Sequence, residues 1–197
     1  MLDVPPGRPY KSVKDLVDAA KDANGRMTFA SIGVGSIPQF LGVLFQLRAG
    51  VTLVDVPYKG AAPASVDLLG GRVDMAFLNV PAVLPQVQSG QLRGLAVADA
   101  KRAKALPDTP TMAESGYPSV AMSTWYGISA PAKTPRDVVN RLHAAIAQTL
   151  NSPKAREKIE AQGAEVFVKN PDDYAAYLQA DAKLMLELIK AAQMTAN

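Results

Sequence analysis

The sequence contains no cysteine and a single histidine, His143. Without thiols the chain forms no disulfide, offers no thiolate nucleophile and builds no zinc–thiolate site, while its redox compartment stays open. A lone histidine removes nearly every His-based catalytic or metal constellation. His143 also shares a helical face with Val139, Ile146 and Leu150, which is the setting of a boundary core residue. A Ser-His-Asp reading through Ser31 or Ser36 lacks a G-x-S-x-G nucleophile elbow. Neither catalysis nor a cofactor nor a bound metal is therefore expected. Charge of one sign is scarce as well: 21 Lys and Arg against 18 Asp and Glu leave +3. The only strong basic cluster, Lys101-Arg102-Ala103-Lys104, falls short of the dense stripe that nucleic acid requires. No apolar run approaches the roughly 20 residues of a membrane span. No Lys/Arg-then-apolar signal segment opens the sequence, and Met1 to Gly7 reads as a loop.

What is present is ordinary globular material, 197 residues with 48% apolar and 20% charged side chains. On a scale of about 150 residues per domain this is a little over one. Ser12 caps a helix through Ala23, and Met27–Ser31 is of strand length. Ser36 caps the next helix, with Pro38 in its first turn and Ile37, Phe40, Leu41, Leu44 and Leu47 along one face. Strands are expected at 52–56, 74–79 and 93–98, with helices at 63–69 and 81–88 between them. Such alternation predicts βαβ units on a parallel sheet, so the fold class is α/β. After Lys101 the texture turns Pro- and Thr-rich, with a short helix at 111–115 and a last strand at 125–130. Helices at 135–150 and 154–162, a small strand at 164–168 and a long helix from Pro171 to about Ala192 complete the expectation.

That last helix is apolar on too many sides. Tyr174, Tyr177, Leu178, Met185 and Leu188 make one face, while Leu184, Leu186 and Ile189 point elsewhere. Such a helix is buried on more than one side, and the sequence after Pro131 supplies little to cover it. The lone Trp125 either lines a cleft or belongs to a core, the commoner fate.

Three strand ends carry candidate binding residues. Ser31-Ile32-Gly33-Val34-Gly35-Ser36-Ile37-Pro38-Gln39 joins a strand to a helix N-terminus, where close backbone approach, orphan N–H groups and the helix dipole favour an anion. Tight βα-turn geometry alone accounts for the same glycines. A dinucleotide fingerprint would need a third glycine where Pro38 stands, although Asp55 nearly meets its demand for a later acid. Pro57-Tyr58-Lys59-Gly60-Ala61-Ala62 ends the next strand and offers an aromatic hydroxyl and a cation, or simply a surface turn. Asn79 ends the one after, with amide donor and acceptor, or serves as a cap before Pro81. All three fall on the edge where ligands of open α/β sheets bind.

Val56-Pro57-Tyr58-Lys59-Gly60, Asp67-Leu68-Leu69-Gly70-Gly71-Arg72-Val73-Asp74, Leu92-Arg93-Gly94-Leu95-Ala96-Val97, Leu106-Pro107-Asp108-Thr109-Pro110-Thr111 and Pro131-Ala132-Lys133-Thr134-Pro135 occur in this order. This series resembles the Bug family, the extracytoplasmic solute-binding receptors of tripartite tricarboxylate transporters (TctC-like), from Val13 onward. The resemblance implies a type II periplasmic-binding-protein-like α/β fold that closes on a small carboxylate in an interdomain cleft. It implies a complete α/β domain over 10–128 and, over 129–197, the mainly helical C-terminal portion of a second, incomplete domain whose N-terminal part is absent. Carried onto this chain, the ligand contacts fall on Ser31, Gly35, Ser36, Gln39, Tyr58, Lys59, Gly60, Ala61 and Asn79. Gln39 stands where the family often has His, and Ile37 where a small hydroxyl residue is common, so ligand preference does not transfer. The implied partners are a di- or tricarboxylate or related organic acid and the membrane subunits of the transporter, with no nucleic acid; the implied location is periplasmic. The over-apolar last helix adds an expectation of self-association through the domain remnant. A protein that keeps this fold for interaction or regulation, without solute capture, is the alternative.

Overall fold

The computed structural model describes residues 1–191, except for the side chains of residues 188, 190 and 191. The chain divides into two compact units, with the break between Thr124 and Trp125.

The first unit is a five-stranded sheet of order β3-β2-β4-β1-β5. Its strands are β1 (Leu2–Val4), β2 (Thr28–Ser31), β3 (Val54–Pro57), β4 (Met75–Phe77) and β5 (Arg93–Ala96). Helices α1 (Val13–Asp22), α2 (Ile37–Ala49), α3 (Ala61–Leu69) and α4 (Val80–Gln88) fill the connections. Strand β2 pairs in parallel with both β3 and β4, so the chain steps to one side through α2 and returns to the other through α3. The two helices cover opposite faces. Phe29 lies against Gly42 of α2, while its neighbour Ala30 packs with Ala64 and Leu68 of α3. That alternation is the period of two of a strand buried on both faces. Pro57 is tolerated because β3 is an edge strand.

The sheet is mixed rather than parallel. Residues 2–4, read from sequence as part of a loop, form a strand that pairs antiparallel with β4 and β5 in the sheet interior. Leu2 and Val4 are fully buried, and that burial, together with hydrogen bonds on both edges, makes a strand of a segment too short to show periodicity. The Met1 ammonium donates to Leu78 O at 2.6 Å, and Leu78 N–H returns to Met1 O at 2.9 Å. Arg93 ties down the following turn by donating to the carbonyls of Tyr10, Arg8 and Pro6. Arg8 in turn pairs with Asp74 at 2.7 Å.

The short helix expected at 111–115 is a single turn. Glu114 accepts from Thr111 N–H, Glu114 N–H bonds back to Thr111 Oγ1, and Gly116 stops the turn at φ 94°. Arg102, from the basic cluster, grips both Glu114 oxygens and holds that carboxyl down at about 2. The cluster's guanidinium is thus spent within the unit.

The second unit contains α5 (Arg136–Leu150), α6 (Pro153–Glu160) and α7 (Pro171–Ala191). The expected end of the last helix at Ala192 lies outside the described residues, as does the side chain of Leu188. The strands expected at 125–130 and 164–168 form no ladder with any described residue, and a strand needs a neighbour to exist. An aromatic cluster organises this unit: Trp125 meets Tyr174 and Tyr177 edge-on at 6.1 and 5.6 Å, and Phe167 meets Tyr177 at 6.4 Å. Trp125 Nε1 donates to Asp181 at 3.3 Å, and Lys169 Nζ lies 4.7 Å from the Phe167 ring centroid. Yet no described residue from 125 to 189 is buried. His143 is half-buried, as a residue at the boundary of a helical face is.

Candidate functional site

Because β2, β3 and β4 are parallel, Ser31, Pro57 and the Leu78-Asn79 step share one edge of the sheet. The reversal of strand order beside β2 makes that edge a topological switch point. Helices α2, α3 and α4 all begin there, capped by Ser36, Gly60 and Asn79. Their N-terminal N–H groups and dipoles give the edge a positive bias without any charged side chain.

The α2 turn is the most developed part. Gly33 and Gly35 sit at φ 112° and 77°, the left-handed region that glycine enters without strain. Ser36 Oγ accepts from Gln39 N–H at 3.4 Å, and Ser36 O takes the Phe40 N–H at 2.9 Å. Pro38 has no N–H to satisfy, and the Ile37 N–H at the first helical position lacks an intrahelical acceptor, as any first-turn N–H does. Ser31 is fully buried and its hydroxyl has no hydrogen-bond partner. Two residues beyond Phe29 on the same strand, it lies on the face that carries α2, at the end where α2 begins. A buried hydroxyl normally finds a partner, so an unpaired one beside orphan N–H groups marks a place where an acceptor fits.

Other members of the expected set are more committed. Gly35 N–H donates to Gln39 Oε1 at 2.8 Å, and Gln39 Nε2 donates to Asp55 Oδ2 at 2.7 Å. Tyr58 N–H donates to Ser31 O at 2.8 Å, while the Tyr58 hydroxyl donates to Asp67 Oδ2 at 2.8 Å. Arg72 holds the other Asp67 oxygen at 2.7 Å. Burial, then the bond to Asp67, pushes the Tyr58 phenol up, so it presents a ring and an acceptor oxygen rather than a free proton. Asn79 Oδ1 accepts from Thr124 Oγ1 at 3.0 Å. Lys59 is exposed, and Gly60 opens α3 with no side chain over the helix end, followed by Ala61. Asp55 and Asp67 were not anticipated as site residues. In the sequence Asp55 stands out only against a dinucleotide fingerprint and Asp67 only within a family motif; Asp55 reaches the loop because it is the register partner of Phe29.

Two open concavities lie at the other edge. One, of about 410 Å³, is lined by Asn24, Gly25, Gly50 and Thr52, and the other, of about 310 Å³, by Pro6, Arg93 and Gly94. Helices α1 and α2 end at the first, so their carbonyl termini face it, the wrong sign for an anion.

An α/β sheet with this strand order and a switch-point edge of helix N-termini defines a periplasmic-binding-protein-like fold, and comparisons with known proteins carry the assignment further. The model of the tripartite tricarboxylate transporter family receptor (TctC) matches residues 1–194. The chain is 39% identical to the protein BugT of Bordetella pertussis over 85% of its own length and 51% of that protein. It is 33% identical to a UPF0065 protein of Pseudomonas sp. strain P51, over 100% of this chain and 59% of the other. Among solved structures, R. palustris Rpa4515 with adipate superimposes with a TM-score of 0.93 at 33% identity, covering 98% of this chain and 64% of that one. The periplasmic binding protein BugD gives 0.92 at 33% identity, covering 100% and 66%. MatC of Rhodopseudomonas palustris with bound malate gives 0.81 at 26% identity, covering 98% and 64%. The chain belongs to the TctC/Bug family of solute-binding receptors, a periplasmic and non-enzymatic class. It spans about half the length of the curated relatives it matches. No described helix is long and apolar enough to cross a membrane.

Proposed function

We propose that the switch-point edge of the first unit is a binding surface for a small carboxylate, and that the chain acts as the solute-binding component of a tripartite tricarboxylate-type uptake system. The observation that carries this reading is the unpaired, fully buried Ser31 hydroxyl beside the N-terminus of α2. A carboxylate oxygen there would accept from Ser31 and from the Ile37 N–H, which has no intrahelical acceptor, and the helix dipole favours its charge. Lys59 and the α3 N-terminus supply further positive potential on the same edge. Relatives solved with adipate and with malate support the ligand class. The working compartment in this reading is the periplasm, and the protein partners are the transporter's membrane subunits.

Self-association belongs to the same proposal. Phe167, Leu184 and Leu186 of the second unit are 69%, 52% and 59% exposed, and a second copy covers them.

Calorimetric titration of the chain with adipate and with malate tests the ligand reading. Saturable binding is expected, weakened about three- to tenfold in Ser36→Ala, which frees the cap of α2, and in Lys59→Ala. Binding unchanged in both variants would place the site elsewhere, and silence toward both acids would favour a protein that keeps this fold for interaction alone.

A further inference from the structure

The loop before α2 already holds an acceptor of its own. Gly35 N–H, the donor a ligand would reach at the tip of the Gly33-Val34-Gly35 turn, is occupied by Gln39 Oε1 at 2.8 Å. A glutamine amide presents either oxygen or nitrogen, and which end faces the loop is set by the group at its other end. Here that group is Asp55. An ionised carboxylate only accepts, so its 2.7 Å contact must receive the Nε2–H, and the amide oxygen is thereby turned toward Gly35. Asp55 is held in place by the sheet, on β3 opposite Phe29, and its second oxygen is buried without a partner. Gly35, Gln39 and Asp55 thus form a directed chain of hydrogen bonds running from the anion loop into the sheet.

We propose that Gln39 is a built-in competitor for the carboxylate: its side-chain oxygen fills the Gly35 donor in the free chain, and Asp55 is the positioning residue that keeps it there. The proposal rests on the carboxylate reading of this edge and changes the part given to Gln39. A residue carried over from the family as a ligand contact becomes the group a ligand displaces. Asp55 acts only through Gln39.

Two measurements test this, one of which needs no ligand. Hydrogen exchange of the Gly35 amide, followed by NMR in the free chain, is expected to quicken in Gln39→Ala. It is expected to quicken similarly in Asp55→Asn, where the neutral amide no longer dictates which end of Gln39 faces Gly35. The double variant should go no further than either single one, because both act on one bond. Titration with the same two dicarboxylates should show Gln39→Ala binding about three- to tenfold more tightly than the wild-type chain, the worth of one ordinary hydrogen bond no longer displaced. Gly35 exchange unchanged in Gln39→Ala overturns the proposal. So does unchanged or weaker binding by that variant when the wild-type chain binds. If neither protein binds either acid, the carboxylate reading falls, and the exchange comparison alone decides whether Gln39 occupies Gly35.

Discussion

Asp3 is a carboxyl placed where burial is costly. It sits in β1 with no exposed surface, and neither of its oxygens has a hydrogen-bond partner. Burial pushes its carboxyl from 3.8 up to about 8, in spite of the nearby Met1 ammonium, which burial itself drives down. Between those two values the folded chain holds a proton that the unfolded chain has lost. Its stability contribution is therefore complete below about pH 4 and is lost as the pH rises to about 8. Asp3→Val keeps the volume roughly constant and removes the orphan oxygens, so it should stabilise the chain by about 1–3 kcal/mol at neutral pH. Chemical unfolding across pH 4–8 checks this: the wild-type midpoint should fall relative to that of the variant as the pH rises.

At the scale of elements, Gly42 shows how tightly α2 and β2 are fitted. A methyl group there would fall on the Phe29 ring, in a part of the core with no exposed surface around Phe29. Alanine gains about 1 kcal/mol over glycine in a helix, whereas overpacking costs about 1–3 kcal/mol, so the clash wins. Gly42→Ala should lower the thermal midpoint, which calorimetry reads directly. The helices of this unit were legible because their signals are local: Ser12 and Ser36 cap as their positions suggest, and Phe40, Leu41 and Leu44 of the expected stripe face the core, whereas Leu47 at its end is exposed and Ile37 is not fully buried. β1 was not legible. Its three residues gain their meaning from Phe77 and Ala96, and a strand flanked by Pro5-Pro6-Gly7 gives no local sign of partners so distant. The site divides in the same way. Ser31, Gly35 and Ser36 announce themselves as a turn before a helix, whereas the grip of Asp55 on Gln39 depends on strand register that no local pattern shows.

The two units differ most at the scale of the molecule. Every buried residue described lies in the first, which therefore has its own core, while the second is held by an aromatic cluster and three helices with none of its described residues buried. The proposed self-association predicts a concentration-dependent rise in sedimentation coefficient, abolished by charged substitutions at Phe167 and Leu186. A monomer at high concentration, with the same behaviour in the variants, would refute it.

The central place of β1 also bears on how the chain is made. Met1 and Leu78 are joined by hydrogen bonds across 77 residues, and β5 on the other flank comes later still. Strand β1 is thus made before both of its neighbours, and until Arg93–Ala96 has emerged it carries two bare edges and a pair of apolar side chains. Each nascent copy needs shelter for that interval, and the strand that completes the sheet is the one most open to pairing with the wrong chain.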